Sequence, residues 1–153
     1  MATAAVLTVS TNNLYMNPAL DRAKGPCVIT LDWTSTDLGV VSKAICSTYN
    51  TAVAAGSSDY PNVSAIVGKI ARIETIPGAL GVPATTPPTD QYDITLLDPY
   101  SLDVADGTLA NRSNTAAEAL VYETPLIISS ELTLTIANAG DAKKGRMIIT
   151  LVE

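Results

Sequence analysis

The sequence predicts an all-β protein: a two-layer antiparallel β-sandwich, Ig-like or jelly-roll, preceded by an irregular N-terminal arm. Three observations predict it. Short stretches alternate apolar and polar residues at period two, clusters of Gly, Pro, Asn and Asp punctuate them, and no ten-residue helical pattern separates one stretch from the next. A chain of 153 residues is one domain's worth and can bury a core without metal or disulfide staples. Residues 1–25 are read as the arm and 26–153 as the sandwich.

The arm opens on a short apolar piece (Val6, Leu7, Val9) and then loses periodicity up to the turn signal at Gly25 and Pro26. Within it, Leu14, Tyr15 and Met16 form an apolar trio in irregular backbone, which needs a cover, so these three are the candidate partner contact. Deleting 1–25 is expected to leave a folded domain and to weaken attachment. From Cys27 to Thr34 the residues are β-branched and alternating, with Ile29, Leu31 and Trp33 on one face. The stretch 40–46 reads as the returning strand of a hairpin or as the start of a weak helix, with strand preferred. Residues 55–62 are a loop. SAIVGKIARIETI (64–76) reads as a strand with a bulge at Gly68.

Four prolines, Pro77, Pro83, Pro87 and Pro88, make the following loop stiff and extended. Tyr92, Ile94 and Leu96 then point one way along a strand. Residues 102–109 read as a strand broken at Asp106-Gly107, and 110–119 as a loop with room for a single helical turn. An apolar piece at 125–128 follows. LTLTIA (132–137) alternates most clearly of all, turns at Asn138-Ala139-Gly140-Asp141, and is read as a hairpin with 145–152.

Composition removes several kinds of chemistry. The chain has no His, so Ser-His-Asp triads, His-ligated zinc and imidazole proton shuttles are unavailable. Its 9 basic and 15 acidic residues give a net charge of −6, which argues against nucleic acid as main partner. Charged residues are 16% of the chain, while Ala and Thr supply 21 and 19 positions. So small, neutral a surface suits either a monomer or a subunit packed on several sides. The first ten residues lack a signal-peptide pattern and no stretch is apolar enough to span a membrane, so the chain is expected to be cytosol-made and not membrane-inserted. Cys27 and Cys46 are read as small buried hydrophobes that pair only if their strands are neighbours.

The acidic residues Asp90, Asp93, Asp98, Asp103 and Asp106 invite a Ca²⁺ or glycosidase reading. The simpler one, turn and edge carboxylates, is preferred because the spacing lacks the alternating oxygen ligands and terminal Glu of an EF-hand loop. Lys143-Lys144-Gly145-Arg146, the one basic run, reads as a solvated turn. Residues 78–81 open no helix and cradle no phosphate. A sugar-binding sandwich would use Trp33, Tyr92 or Tyr100, an idea that weakens if Trp33 is core. No catalytic, cofactor or metal residue is assigned.

Five blocks, ITLDWTS (29–35), GKIARIETIPG (68–78), PTDQYDITL (88–96), GTLANR (107–112) and LTLTIANAGDAKKG (132–145), resemble in order a group of small virion structural proteins of tailed bacteriophages. Residues 1–25 and 47–62 look like additions to that pattern. The resemblance implies a non-enzymatic particle component, similar to capsid decoration or cement proteins and to head–tail accessory proteins. It implies as partners the major capsid protein and further copies of this chain in a homo-oligomer, on the exterior of a virion assembled in a bacterial cytoplasm. It implies no cofactor.

Overall fold

The computed structural model describes residues 4–12, 27–45, 66–82, 85–130 and 132–152. They form two antiparallel sheets. The strands are β1 (Val6–Asn12), β2 (Cys27–Thr34), β3 (Val41–Ile45), β4 (Ile66–Pro77), β5 (Asp93–Leu97), β6 (Glu118–Ser130), β7 (Leu132–Ala137) and β8 (Lys144–Val152). One sheet has the order β1-β2-β8-β4-β6 and the other β3-β7-β5. The alternation read from the sequence is what makes two layers possible. Ile29, Leu31 and Trp33 of β2, Met147, Ile149 and Leu151 of β8, and Ile70 and Ile73 of β4 turn inward to meet Val41, Ile94, Leu96, Leu132, Leu134 and Ile136 of the smaller sheet.

Several expectations change on the way. Val6–Asn12 is a strand paired along its whole length with β2, so this part of the expected arm belongs to the sheet. The reason is local: the open edge of β2 offers a full ladder to a β-branched segment, and Leu7 gains a place against the core. Leu14, Tyr15 and Met16 lie outside the described residues, as does Cys46.

Neither expected hairpin forms. β3 pairs with β7, not with β2, and β8 pairs with β2 and β4, not with β7. Alternation fixes which side chains face inward, but either sheet can supply the neighbour, and here the short connections at 35–40 and 138–143 carry the chain across the core. The register break in β4 falls between Ile70 and Arg72 rather than at Gly68. It answers β6, where four residues stand opposite one, and Pro125 sits in that break on the sheet edge, where a missing N–H costs little. β6 also starts earlier than the apolar piece at 125–128 suggests.

Residues 102–109 are turns, not a strand. They run back along β5, touching it by a bridge from Asp103 to Leu97 and by a hydrogen bond from Val104 N–H to the Leu96 carbonyl at 2.8 Å. Residues 110–119 hold no helical turn; the Ser113 hydroxyl accepts the N–H groups of Thr115 and Ala116 instead.

Candidate interaction surface

Three connections meet at one end of the sandwich. Ser35 N–H donates to the Lys143 carbonyl at 2.8 Å, and the Ser35 hydroxyl donates to the Gly140 carbonyl at 2.7 Å while accepting Lys143 N–H at 2.9 Å. Ala139 N–H donates to Gly39, Thr89 N–H to Ala139, and Lys144 N–H to Thr86. The buried Ser35 thus stitches the 35–40 crossover to the 138–143 crossover, and the proline loop is bonded to the latter region at Ala139 and Lys144. Gly39 has φ of +74° and a Cβ there would lie 2.6 Å from the Gly140 nitrogen. Gly145, opposite Trp33 in the ladder, has no room for a Cβ at all: one would run into the indole.

Trp33 and Tyr92 are core residues, with ring centroids 5.7 Å apart and planes inclined at 50°. Burial, with the Glu118 carboxylate adding to it, pushes the Tyr92 phenol above its ordinary value and keeps it neutral. Neither aromatic can serve as a sugar platform. Tyr100 is exposed.

Four of the five clustered carboxylates hold backbone donors. Asp103 accepts the N–H groups of Leu96 and Ala105 on one oxygen and of Gly107 on the other. Asp98 accepts those of Tyr100 and Leu102, Asp93 that of Asn111 together with the Asn138 amide, and Asp90 that of Asn114. These are turn carboxylates, each holding a donor that the irregular backbone would otherwise leave unpaired. Among the described residues, no group of three or more Cys, Asp and Glu gathers as metal ligands would, and no helix is long and apolar enough to cross a membrane.

Among the described residues several large apolar side chains stand exposed, Leu38 and Leu80 included, and two groups of them lie on well-bonded backbone. The first is the turn at 98–102. Its backbone closes by hydrogen bonds from Asp98 N–H to Leu102 (2.9 Å) and from Ser101 N–H to Asp98 (3.0 Å), besides the two caps on the Asp98 carboxylate. The loop is therefore fixed, yet Tyr100 is 84% exposed and Leu102 65%. The second is the outward face of the five-stranded sheet at β4 and β6. There Val121, 70% exposed, lies opposite Arg72, and Ile127, 79% exposed, lies opposite Lys69.

The same outward face carries Lys144 and Arg146 on β8. Arg146 grips Asp32 with both Nε and a terminal nitrogen, at 2.7 and 2.8 Å, and that carboxylate holds the guanidinium pKa above its ordinary value. Arg72 holds Glu74 at 2.6 Å. The basic run at 143–146 is thus part turn and part ladder, with Arg146 paired.

Sequence reasoning named Tyr100 but placed Leu102 in a strand and passed over Val121 and Ile127. No sequence signal separates these two: they sit in the continuous apolar runs 119–122 and 125–128, where no alternation marks the solvent side. The comparisons add no neighbour: no protein family matches the chain, and neither a curated protein nor a solved structure matches it.

Proposed function

We propose that this chain is an adhesive structural subunit that works through repeated surface contact rather than through a reactive centre. More particularly, it is a decoration or cement protein of a tailed-bacteriophage head, seated on the outside of the major capsid protein lattice beside copies of itself.

The observation that carries this reading is the nesting of the strand pairs. β2 pairs with β8, β3 with β7 and β4 with β6, all antiparallel, as in one long hairpin rolled about β5. Every connection from β2 onward crosses to the other sheet. That order supports a jelly roll over an Ig-like sandwich, in which sequential hairpins stay within a sheet. On this reading the turns at 98–110 stand where the eighth strand of a full jelly roll would lie. The jelly roll serves in virus shells, in lectins and in cupin enzymes. Trp33, Tyr92 and aliphatic side chains fill the space that a cupin would keep for its substrate, and of the three aromatics a sugar-binding sandwich would use, Trp33 and Tyr92 are in the core and Tyr100 alone is exposed. The step from fold to role is an analogy, and it joins the ordered blocks that resemble phage virion proteins.

Mechanically, a compact wedge bridging neighbouring shell subunits adds modest binding energy at each site, and symmetric repetition multiplies it. The test is removal. Heads assembled without this chain should form at normal size and rupture at lower temperature or under milder osmotic shock, with stability restored by adding the purified protein. Heads equally robust in its absence would contradict the proposal.

A further inference from the structure

The edges of the two sheets are not alike. β6 ends the five-stranded sheet on one side, and it is guarded against strand addition by Pro125, by the register break and by Glu118 and Glu123. β5 ends the smaller sheet, and the turns that follow lie along it, with Val104 N–H donating to the Leu96 carbonyl and Ile94 N–H to that of Leu109. β3, at the other side of the smaller sheet, is only five residues long. β1 has none of these devices. It runs seven residues, VLTVSTN, with no charge, no proline and no register break, and one side of it is paired with β2 along its whole length. Among the described residues no strand or turn is bonded to its other side.

We infer that β1 of one copy pairs antiparallel with β1 of a second copy, edge to edge, so that their two five-stranded sheets become one continuous sheet. A row of outward N–H and C=O groups is a template for another strand, and three physical points make that strand the same one in a second copy. An antiparallel pair exchanges equivalent bonds in both directions, so a twofold rotation brings a strand edge against a matching image of itself. β1 is uncharged, so its image sets no like charge against it, as Glu118 and Glu123 would at β6. Its side chains are those that pair well across strands, and Val6, 51% exposed, and the exposed Thr8 are placed to gain neighbours from the joint. The contact uses up the edge that makes it, so it closes at a dimer and does not grow into chains. It goes beyond the virion reading and does not rest on it, because it belongs to the purified chain.

The experiment is sedimentation velocity of the full chain over a series from micromolar to millimolar, with amide hydrogen exchange at both ends of the series. Wild type should form a dimer as concentration rises, and exchange in β1 should slow with it, because the amides that face away from β2 gain partners. Two variants place charge on this edge: Val6→Lys with Thr8→Lys, and Val6→Glu with Thr8→Glu. Each alone sets like charges against each other and should lose dimer affinity by at least ~10-fold. Their urea midpoints should stay near wild type, since both positions are exposed, which separates a lost contact from a lost fold. Mixed together, the lysine and glutamate variants should recover a 1:1 dimer, as opposite charges then meet across the joint. Wild type monomeric throughout, a dimer whose β1 amides exchange as in the monomer, either variant pairing with itself like wild type, or a mixture no better than its components would each overturn the inference.

Discussion

The crossover end and the turn at 98–102 are both irregular backbone fixed by hydrogen bonds, and they use that rigidity differently. At the crossover end, Ser35, Gly39, Gly140 and Gly145 let three connections pack so closely that hydroxyl, carbonyl and amide groups pair with each other under the core aromatics. At 98–102, an equally complete set of bonds from Asp98 orders a loop whose large side chains stay in water. Rigidity at the first place stabilises the fold. At the second, Tyr100 and Leu102 gain no packing among the described residues, and the order of the loop comes from its backbone bonds.

Substitutions that break this contrast rank by how much internal packing they disturb. Gly145→Val is expected to be the most damaging, since the new side chain must displace the Trp33 indole from between the sheets; a loss of about 3 kcal/mol, the upper range for over-packing, should appear as a lower urea midpoint. Ser35→Ala removes the hydroxyl that serves both crossovers and strands the Gly140 carbonyl and the Lys143 amide, for about 2 kcal/mol by the same measurement.

Asp32→Asn breaks the two-point grip on Arg146. The pair is only partly buried, so the expected cost is under about 1 kcal/mol, and raising salt in the wild type should recover part of the difference between the two proteins. Tyr100→Ser should change the midpoint least, by less than about 0.5 kcal/mol, because its ring touches water. A large destabilisation by Tyr100→Ser would mean that the turn belongs to the fold after all, and the contrast between the two regions would fail.

The residues that sequence made legible are those whose alternation sets burial. Ile29, Leu31 and Trp33, the Tyr92-Ile94-Leu96 row, and Leu132, Leu134 and Ile136 of LTLTIA all face inward as their period-two pattern requires. Sheet membership was not legible, because a strand's inward face is the same whichever sheet it joins. The crossovers at 35–40 and 138–143 therefore read as hairpin turns, although the Ser35 hydroxyl that ties them spans more than a hundred residues of chain. β1 escaped notice because its pattern is short and its stability comes from the waiting edge of β2. The Asp cluster read correctly as turn chemistry, since Asp ahead of N–H groups two and four residues on is a local signal. The apolar face at Val121 and Ile127 was hidden for the opposite reason: nothing in a sequence marks which apolar residue stays outside until the layers are assembled.

Copy number in purified particles tests the account most directly. Quantitative mass spectrometry against the major capsid protein should find this chain on the order of hundreds of copies per head, the multiplicity that a repeating exterior site requires. About a dozen copies or fewer would place it at a unique vertex instead, and its absence from washed particles would contradict the structural role altogether.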